Sequence, residues 1–172
     1  MNLQEVERLL IEAKALCGHS DFVIVGSLAA LGYLASPPDK MIQSLDVDLF
    51  IKDDPERTHE LNKQLGQGSP FEACWGYYLD PVMPDLPSFP QGWENRMILK
   101  EFASVRAHFV SPDDVAVSKY MRGETRDRRW LIAGLKIGLL NLDIIERLAP
   151  SAPSLGDELK KAQRLMKAHR RL

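Results

Sequence analysis

The sequence has little net charge, few cysteines and no long apolar run, and each absence argues against a class of function. The formal charge is −2 at pH 7 and the pI is near 6.1. No global positive field therefore recruits nucleic acid, and any polyanion has to be held by a local patch. A run of about 18 apolar residues is also missing, which argues against a helix that spans a membrane.

Only two cysteines are present, Cys17 and Cys74, and they lie far apart in the sequence. Neither has a cysteine or histidine at ligand spacing, so we interpret both as packing thiols and do not expect a zinc site. The N-terminal segment is charged and amphipathic, without the apolar stretch of a secretory signal. We therefore expect a reduced, cytoplasmic protein.

The 172 residues are 45% hydrophobic, which is typical of a globular domain with one substantial core. Period and turn signals predict helices over residues 2–17, 54–65 and 112–121 and strands over 22–25, 45–51 and 71–82. They also predict a hairpin within 97–110 that is broken near 100–101, and further helices after Gly123. The fold class is therefore α/β, a small mixed sheet flanked by helices with a helical C-terminal region. We expect residues 1–125 to form the α/β core and residues 126–172 to pack on it as one domain.

Gly26 and Ser27 stand between the buried strand at Phe22–Val25 and a helix. A helix start after such a turn presents unpaired backbone N–H groups, and glycine lets a phosphate approach without a Cβ in the way. The Ser27 hydroxyl offers another donor. Gly-Ser is also common punctuation between a strand and a helix, so the pair alone does not establish a nucleotide site.

Asp46 and Asp48 alternate with apolar residues in the strand at 45–51 and therefore point to the same side of the sheet. Two carboxylates so close together repel each other and are costly to desolvate unless a cation neutralises them. Ligands made only of oxygen suit Mg²⁺ or Mn²⁺. The alternative is an ordinary charged face of a strand at the edge of the sheet.

The order of these motifs resembles the signature of the polymerase-beta-like nucleotidyltransferase superfamily, in which a Gly-Ser turn is followed by an acidic pair on a strand. Lys119, followed eight residues later by Asp127 in the Arg126-Asp127 pair, looks like the downstream motifs of small bacterial nucleotidyltransferases related to the AbiEii toxins. The resemblance covers roughly residues 22–130, and implies the nucleotidyltransferase type of α/β fold.

By this resemblance, Gly26, Ser27, Lys119 and Arg126 contact the nucleotide, and Asp46 and Asp48 hold Mg²⁺ or Mn²⁺. Family members usually supply a third acid, and Asp80 is the best candidate for it, with Glu101 second. This third acid would be a metal ligand or the base that deprotonates the acceptor. Lys119 would contact phosphate, and Asp127 would be its partner or an acid on the metal side. An exposed helix face is the alternative for both residues.

The implied activity is metal-dependent transfer of an NMP group from ATP or another NTP to a hydroxyl of RNA or protein. The resemblance also suggests a toxin–antitoxin system with a partner protein. The alternative is a catalytically inactive module that binds nucleotide or protein. Two groups of basic residues each allow two interpretations, a contact with a polyanion or a solvated helix face. For the first group both interpretations stay open; it comprises Arg122, Arg126, Arg128 and Arg129. For the second group we favour the solvated face; it comprises Lys160, Lys161, Arg164, Lys167, Arg170 and Arg171.

Overall fold

A five-stranded mixed β-sheet forms the centre of the protein, and the computed structural model describes residues 1–171 of the chain. Its strands are β1 (Asp21–Ile24), β2 (Asp46–Ile51), β3 (Tyr78–Pro81), β4 (Ile98–Glu101) and β5 (Arg106–Phe109). The spatial order is β3-β2-β1-β5-β4. Strand β1 is parallel to β5 and antiparallel to β2, while β3 is parallel to β2 and β4 is antiparallel to β5. The predicted mixed α/β fold is confirmed.

Helices cover both faces of the sheet. They are α1 (Leu3–Cys17), α2 (Ala30–Tyr33), α3 (Asp39–Ile42), α4 (Thr58–Leu65), α5 (Pro70–Trp75), α6 (Pro112–Arg122), α7 (Thr125–Lys136), α8 (Leu142–Leu148) and α9 (Glu158–His169), with short 3₁₀ turns at Ser27–Ala29, Trp93–Arg96 and Ala149–Ser151. Helices α1, α4 and α5 pack on one face of the sheet, and α6 to α9 pack on the other.

The two-residue period of β2 decides which side of the sheet carries the acids. Val47, Leu49 and Ile51 are buried in the core cluster beneath α1 and α4. Asp46 and Asp48 point to the opposite face together with Phe50, which packs edge-on against Trp93 at 6.5 Å between ring centroids. The carboxylates therefore share a face with the C-terminal helices.

The prediction of one strand over residues 71–82 was wrong. Pro70–Trp75 is the helix α5, and β3 comprises only Tyr78–Pro81. The Ser69 hydroxyl accepts a hydrogen bond from the Glu72 N–H at 3.2 Å, Pro70 occupies the first turn, and Gly76 ends the helix with a φ of +76°. These start and stop signals outweighed the aromatic content that favoured a strand.

Two other element bounds differ from the sequence prediction. Helix α4 begins at Thr58 rather than near Asp54, and the Thr58 hydroxyl accepts a hydrogen bond from the Ile51 N–H at 2.9 Å. The turn of the β4–β5 hairpin lies at 102–105, beyond the predicted break at 100–101.

The predicted helix break at Gly123 is confirmed. Gly123 has a φ of +69° and separates α6 from α7. Helix α6 packs against α7, α8 and α9, and all four cover the same face of the sheet. A boundary at residue 125 between core and C-terminal region stays a prediction.

None of the helices within residues 1–171 combines the length and the apolar composition needed to cross a membrane.

Candidate functional site

A cleft of about 480 Å³ opens on the face of the sheet that carries Asp46 and Asp48, next to the helices that cover this face. Its polar lining comes from the turn after β1, from β2 and β3, and from the C-terminal helices. The polar residues and the glycine of this lining are Gly26, Ser27, Ser44, Asp46, Asp48, Asp80, Ser88, Ser118, Lys119, Arg122, Arg126 and Glu158. A nucleotide-sized site therefore carries acids on one wall and cations on the other.

Strand register brings three carboxylates together in this cleft. Asp48 on β2 lies opposite Asp80 on the parallel strand β3, and Asp46 precedes Asp48 by two residues on the same face. One carboxylate oxygen of each residue lies within 4.8 Å of the others. The Ser44 hydroxyl donates a hydrogen bond to Asp46. The structure thus assembles Asp46, Asp48 and Asp80 into one acidic group.

The acidic group is electrostatically strained without a cation. Burial, and then the charges of Asp46 and Asp80, raise the pKa of Asp48 to about 7, against the opposing effect of Lys119 and Arg122. Burial and Asp46 also raise the pKa of Asp80. A divalent cation would neutralise this repulsion, and a set of three carboxylates provides the hard oxygen ligands that Mg²⁺ and Mn²⁺ prefer. The residues present therefore fit such a metal.

Only glycine fits at position 26, because Asp48 lies so close to it. Its φ of +63° and ψ of −153° lie in a region that is essentially restricted to glycine. A Cβ at this position would lie 1.9 Å from the Asp48 Oδ2. The neighbouring Val25 N–H donates a hydrogen bond to the Asp48 carbonyl at 2.9 Å. The Gly26-Ser27 turn and the acidic group are consequently in direct contact.

Ser27 and Asp127 both bind the ammonium group of Lys119. The Lys119 Nζ donates to the Ser27 Oγ at 3.0 Å and to the Asp127 Oδ1 at 3.1 Å. Lys119 is 5% exposed and Asp127 is fully buried. The Trp130 indole N–H donates to the Ser27 carbonyl at 3.2 Å, which fixes the turn from the α7 side. Lys119 and Asp127 therefore meet across the break at Gly123.

Asp127 is held as an anion by two cations. Burial tends to raise its pKa, but hydrogen bonds and charges from Arg122 and Lys119 keep the pKa below its ordinary value. Arg122 donates to both of its carboxylate oxygens, at 2.8 and 2.7 Å. Burial lowers the pKa of Lys119, and Asp127 opposes that shift. Within residues 1–171 the carboxylates that lie close enough together to hold a metal ion are those of Asp46, Asp48 and Asp80. Asp127 does not belong to this acidic group and instead pairs with Lys119.

The remaining predicted residues occupy the rim of the cleft or lie far from it. Arg126 lines the cleft with a side chain that is 72% exposed, and it donates to Glu124 at 2.8 Å. Glu101, the second candidate for the third acid, lies on β4 at the opposite edge of the sheet from β3. The structure therefore groups Asp80, not Glu101, with the acidic pair.

Ser44 and Glu158 were not among the predicted site residues, and Arg122 was predicted only as a member of a general basic cluster. Ser44 carried a usable signal, because it precedes Asp46 by two residues on the same side of the chain. Glu158 reaches the cleft only through the packing of α9 on α6, which sequence spacing does not reveal. The proline-rich segment 81–90 supplies an apolar wall of the cleft that includes Leu86 and Phe89.

The comparisons with known proteins bear on the whole chain. Searches of curated proteins and of solved structures found no significant match. A family described as nucleotidyltransferases of unknown function (DUF6036) matches residues 4–169. This range contains every residue of the cleft described above, and the chain therefore belongs to this nucleotidyltransferase family.

Proposed function

We propose that the protein transfers an NMP group from ATP or another NTP to an acceptor hydroxyl in a metal-dependent reaction. The observation that supports this most strongly is the convergence of Asp46, Asp48 and Asp80 directly against the Gly26-Ser27 turn. The acidic group can hold a metal ion, and the Gly26-Ser27 turn can bind an anion. Both can bind the same ligand only if that ligand carries phosphate together with a metal ion. A nucleoside triphosphate has this chemistry.

In this proposal the three carboxylates hold Mg²⁺ or Mn²⁺. When bound, such an ion neutralises charge on the phosphate oxygens and on the departing pyrophosphate. The Gly26 and Ser27 backbone and the Ser27 hydroxyl orient the triphosphate. Lys119, already hydrogen-bonded to Ser27, supplies a positive charge next to those oxygens.

The reaction forms one bond and breaks one. The acceptor oxygen bonds to the α-phosphorus, the bond between that phosphorus and the bridging oxygen of pyrophosphate breaks, and pyrophosphate leaves. We assign the acceptor's proton to Asp80, the exposed member of the acidic group, from which it passes to solvent. Burial and Asp46 raise the pKa of Asp80, which brings it closer to the value that a general base needs near neutral pH.

Calorimetric titration tests the binding part of the proposal. Wild-type protein should bind ATP or another NTP with an affinity that rises at least tenfold when Mg²⁺ or Mn²⁺ is added. The Asp46→Asn/Asp48→Asn double variant should lose this metal-dependent increment, because amides neutralise a cation far less well than carboxylates do. An exposed pair outside the cleft, Asp53→Asn/Asp85→Asn, has the same charge change and serves as the control.

Unchanged metal-dependent binding in the double variant would remove the metal site from the proposal. Wild-type protein that binds NTP but never releases pyrophosphate, with RNA or protein offered as acceptor, would instead identify an inactive binding module.

The resemblance to AbiEii-related nucleotidyltransferases supports a bacterial toxin–antitoxin setting with a partner protein as a further part of the proposal. Expression of the wild-type protein in a bacterial host should then slow growth, and the Asp46→Asn/Asp48→Asn variant should relieve the effect. Equal growth inhibition by both proteins would contradict this setting.

A further inference from the structure

The cleft has an apolar part next to its acidic and basic groups. The apolar side chains that line it are Val25, Val82, Leu86, Pro87, Phe89, Val115 and Met121. The apolar wall, segment 81–90, and helix α6 supply all of them except Val25. In the proposed function the metal and the phosphates lie at the acidic group, the Gly26-Ser27 turn and Lys119. The nucleoside then occupies the apolar part of the cleft, which suits the flat ring of a nucleobase.

The apolar wall is held in place mainly at its two ends. At its start, the Val82 N–H donates a hydrogen bond to a carbonyl of β2 at 3.1 Å. In the part of the chain that the structure describes, the backbone groups of residues 83–89 form hydrogen bonds only with one another, at 3.1 and 2.8 Å. At its end, Phe89 is buried and packs on Trp93 with ring centroids 5.0 Å apart. The position of the wall therefore depends on how the end near Phe89 is anchored.

Arg96 anchors this end of the wall to helix α6. Its Nη2 donates to the Pro90 carbonyl at 3.4 Å and to the Gln91 carbonyl at 3.2 Å. The same guanidinium binds the Asp114 carboxylate with both Nε, at 2.9 Å, and Nη2, at 2.7 Å. Asp114 lies in the first turn of α6 and is fully buried. The Tyr33 hydroxyl donates to the Arg96 carbonyl at 2.9 Å, which fixes the backbone that carries the guanidinium.

The residues that Arg96 joins are immediate neighbours of residues in the cleft. Pro90 follows Phe89 and Asp114 precedes Val115, and both Phe89 and Val115 line the cleft. Arg96 lies outside the set of described residues that line it, so it can act on a ligand only through these neighbours. The planar fork of a guanidinium can bind a carboxylate and two carbonyls at once, which a single ammonium group does far less well. Arg96 therefore fixes the separation between the apolar wall and α6.

We propose that Arg96 is a positioning residue, which holds the apolar wall at the separation from α6 that lets it contact the nucleoside of the bound NTP. This inference rests on the proposed function and assigns the nucleoside to the apolar part of the cleft. The alternative is an ion pair that only stabilises the fold. Inorganic tripolyphosphate distinguishes the two, because it carries the phosphates of an NTP but no nucleoside that reaches the wall.

Calorimetric titration with two ligands tests the proposal. One ligand is whichever of ATP, GTP, CTP and UTP the wild-type protein binds most tightly, the other is inorganic tripolyphosphate, and both are titrated with Mg²⁺. The Arg96→Gln variant should bind the nucleotide about tenfold more weakly, a typical cost of a poor fit in an apolar pocket, and tripolyphosphate within about twofold of wild type. The Arg96→Lys variant keeps the charge without the fork and should recover only part of the nucleotide affinity.

A second variant separates this effect from a loss of stability. Arg96→Gln leaves the Asp114 carboxylate enclosed without its cation, which destabilises the fold. The Arg96→Met/Asp114→Asn variant leaves no such charge and should show the same selective loss of nucleotide affinity. Equal weakening of both ligands in this variant, or no weakening of either, would overturn the inference.

Arg170→Gln is the matched control. Arg170 is also ion-paired, to Asp143 at 2.7 Å and to Glu146 at 2.6 Å, and it does not line the cleft. Its replacement removes the same charge and should leave both affinities within about twofold of wild type. Wild-type protein that binds neither ligand would contradict the proposed function itself. Tripolyphosphate binding by the wild type, without the selective loss in the Arg96 variants, would contradict only the role assigned to Arg96.

Discussion

The Asp48→Asn variant should transfer NMP about a thousandfold more slowly than the wild-type protein, which corresponds to about 4 kcal/mol of lost transition-state stabilisation. Asp48 lies against Gly26 and opposite Asp80. An amide of the same shape keeps the contact with Gly26 but brings no charge to the cation. The loss should therefore appear in turnover and in metal affinity rather than in the fold.

The same substitution should change how stability depends on pH in the absence of metal. The pKa of Asp48 is about 7 in the folded protein and about 3.8 in an ordinary environment. Between these values the folded state binds more protons than the unfolded state, so the free energy of unfolding falls as pH rises through this window. Asparagine does not titrate, so the variant should lack the fall in the free energy of unfolding that Asp48 causes between these pH values. At pH 8 the variant should therefore be at least as stable as the wild type.

Two measurements check this pair of outcomes. Pyrophosphate release with Mg²⁺ reports turnover, and urea unfolding at pH 5 and pH 8 in the presence of a chelator reports stability. Asp53→Asn, an exposed change just after β2, controls for the loss of one negative charge. Wild-type turnover in Asp48→Asn, or a variant that is clearly less stable at pH 8, would contradict the role assigned to this carboxylate.

Local patterns were sufficient to predict two of the three members of the acidic group. The two-residue period of β2 puts Asp46 and Asp48 on the same face whatever the rest of the chain does. The third acid depends on strand order, which is a property of the whole sheet. Asp80 and Glu101 both lie on four-residue strands, and only the order β3-β2-β1-β5-β4 places Asp80 beside Asp48 and Glu101 at the far edge.

The contact between Lys119 and Asp127 also could not be predicted from their spacing in the sequence. A continuous helix would separate residues eight apart by about 12 Å along its axis. Instead, Gly123 adopts a φ of +69° and turns the chain, so that α7 folds back on α6 and the two side chains come within 3.1 Å. A helix break can be predicted from a glycine, but the direction of the chain after the break is decided by which apolar faces pack together.

The second large effect concerns this buried ion pair: we expect Asp127→Ala to lower the free energy of unfolding by about 3–5 kcal/mol. Asp127 is fully buried and accepts hydrogen bonds from Lys119 and Arg122, and its removal leaves the Lys119 ammonium enclosed without its anion. Breaking one side of a buried pair is costly because the remaining charge stays desolvated. Urea unfolding measures the loss, and a decrease below about 1 kcal/mol would show that Lys119 finds water or another acid.

Stability and function can be separated at this pair by replacing both charges. The Lys119→Met/Asp127→Leu variant leaves no uncompensated ion in the interior, since Arg122 is 47% exposed and can turn to solvent. Its free energy of unfolding should return to within about 1 kcal/mol of wild type. Its affinity for metal-bound NTP should nevertheless remain at least tenfold weaker, because the charge beside Ser27 is gone. Recovery of both stability and nucleotide affinity would mean that Lys119 only holds α6 to α7, whereas recovery of stability alone would establish that it contacts the phosphates.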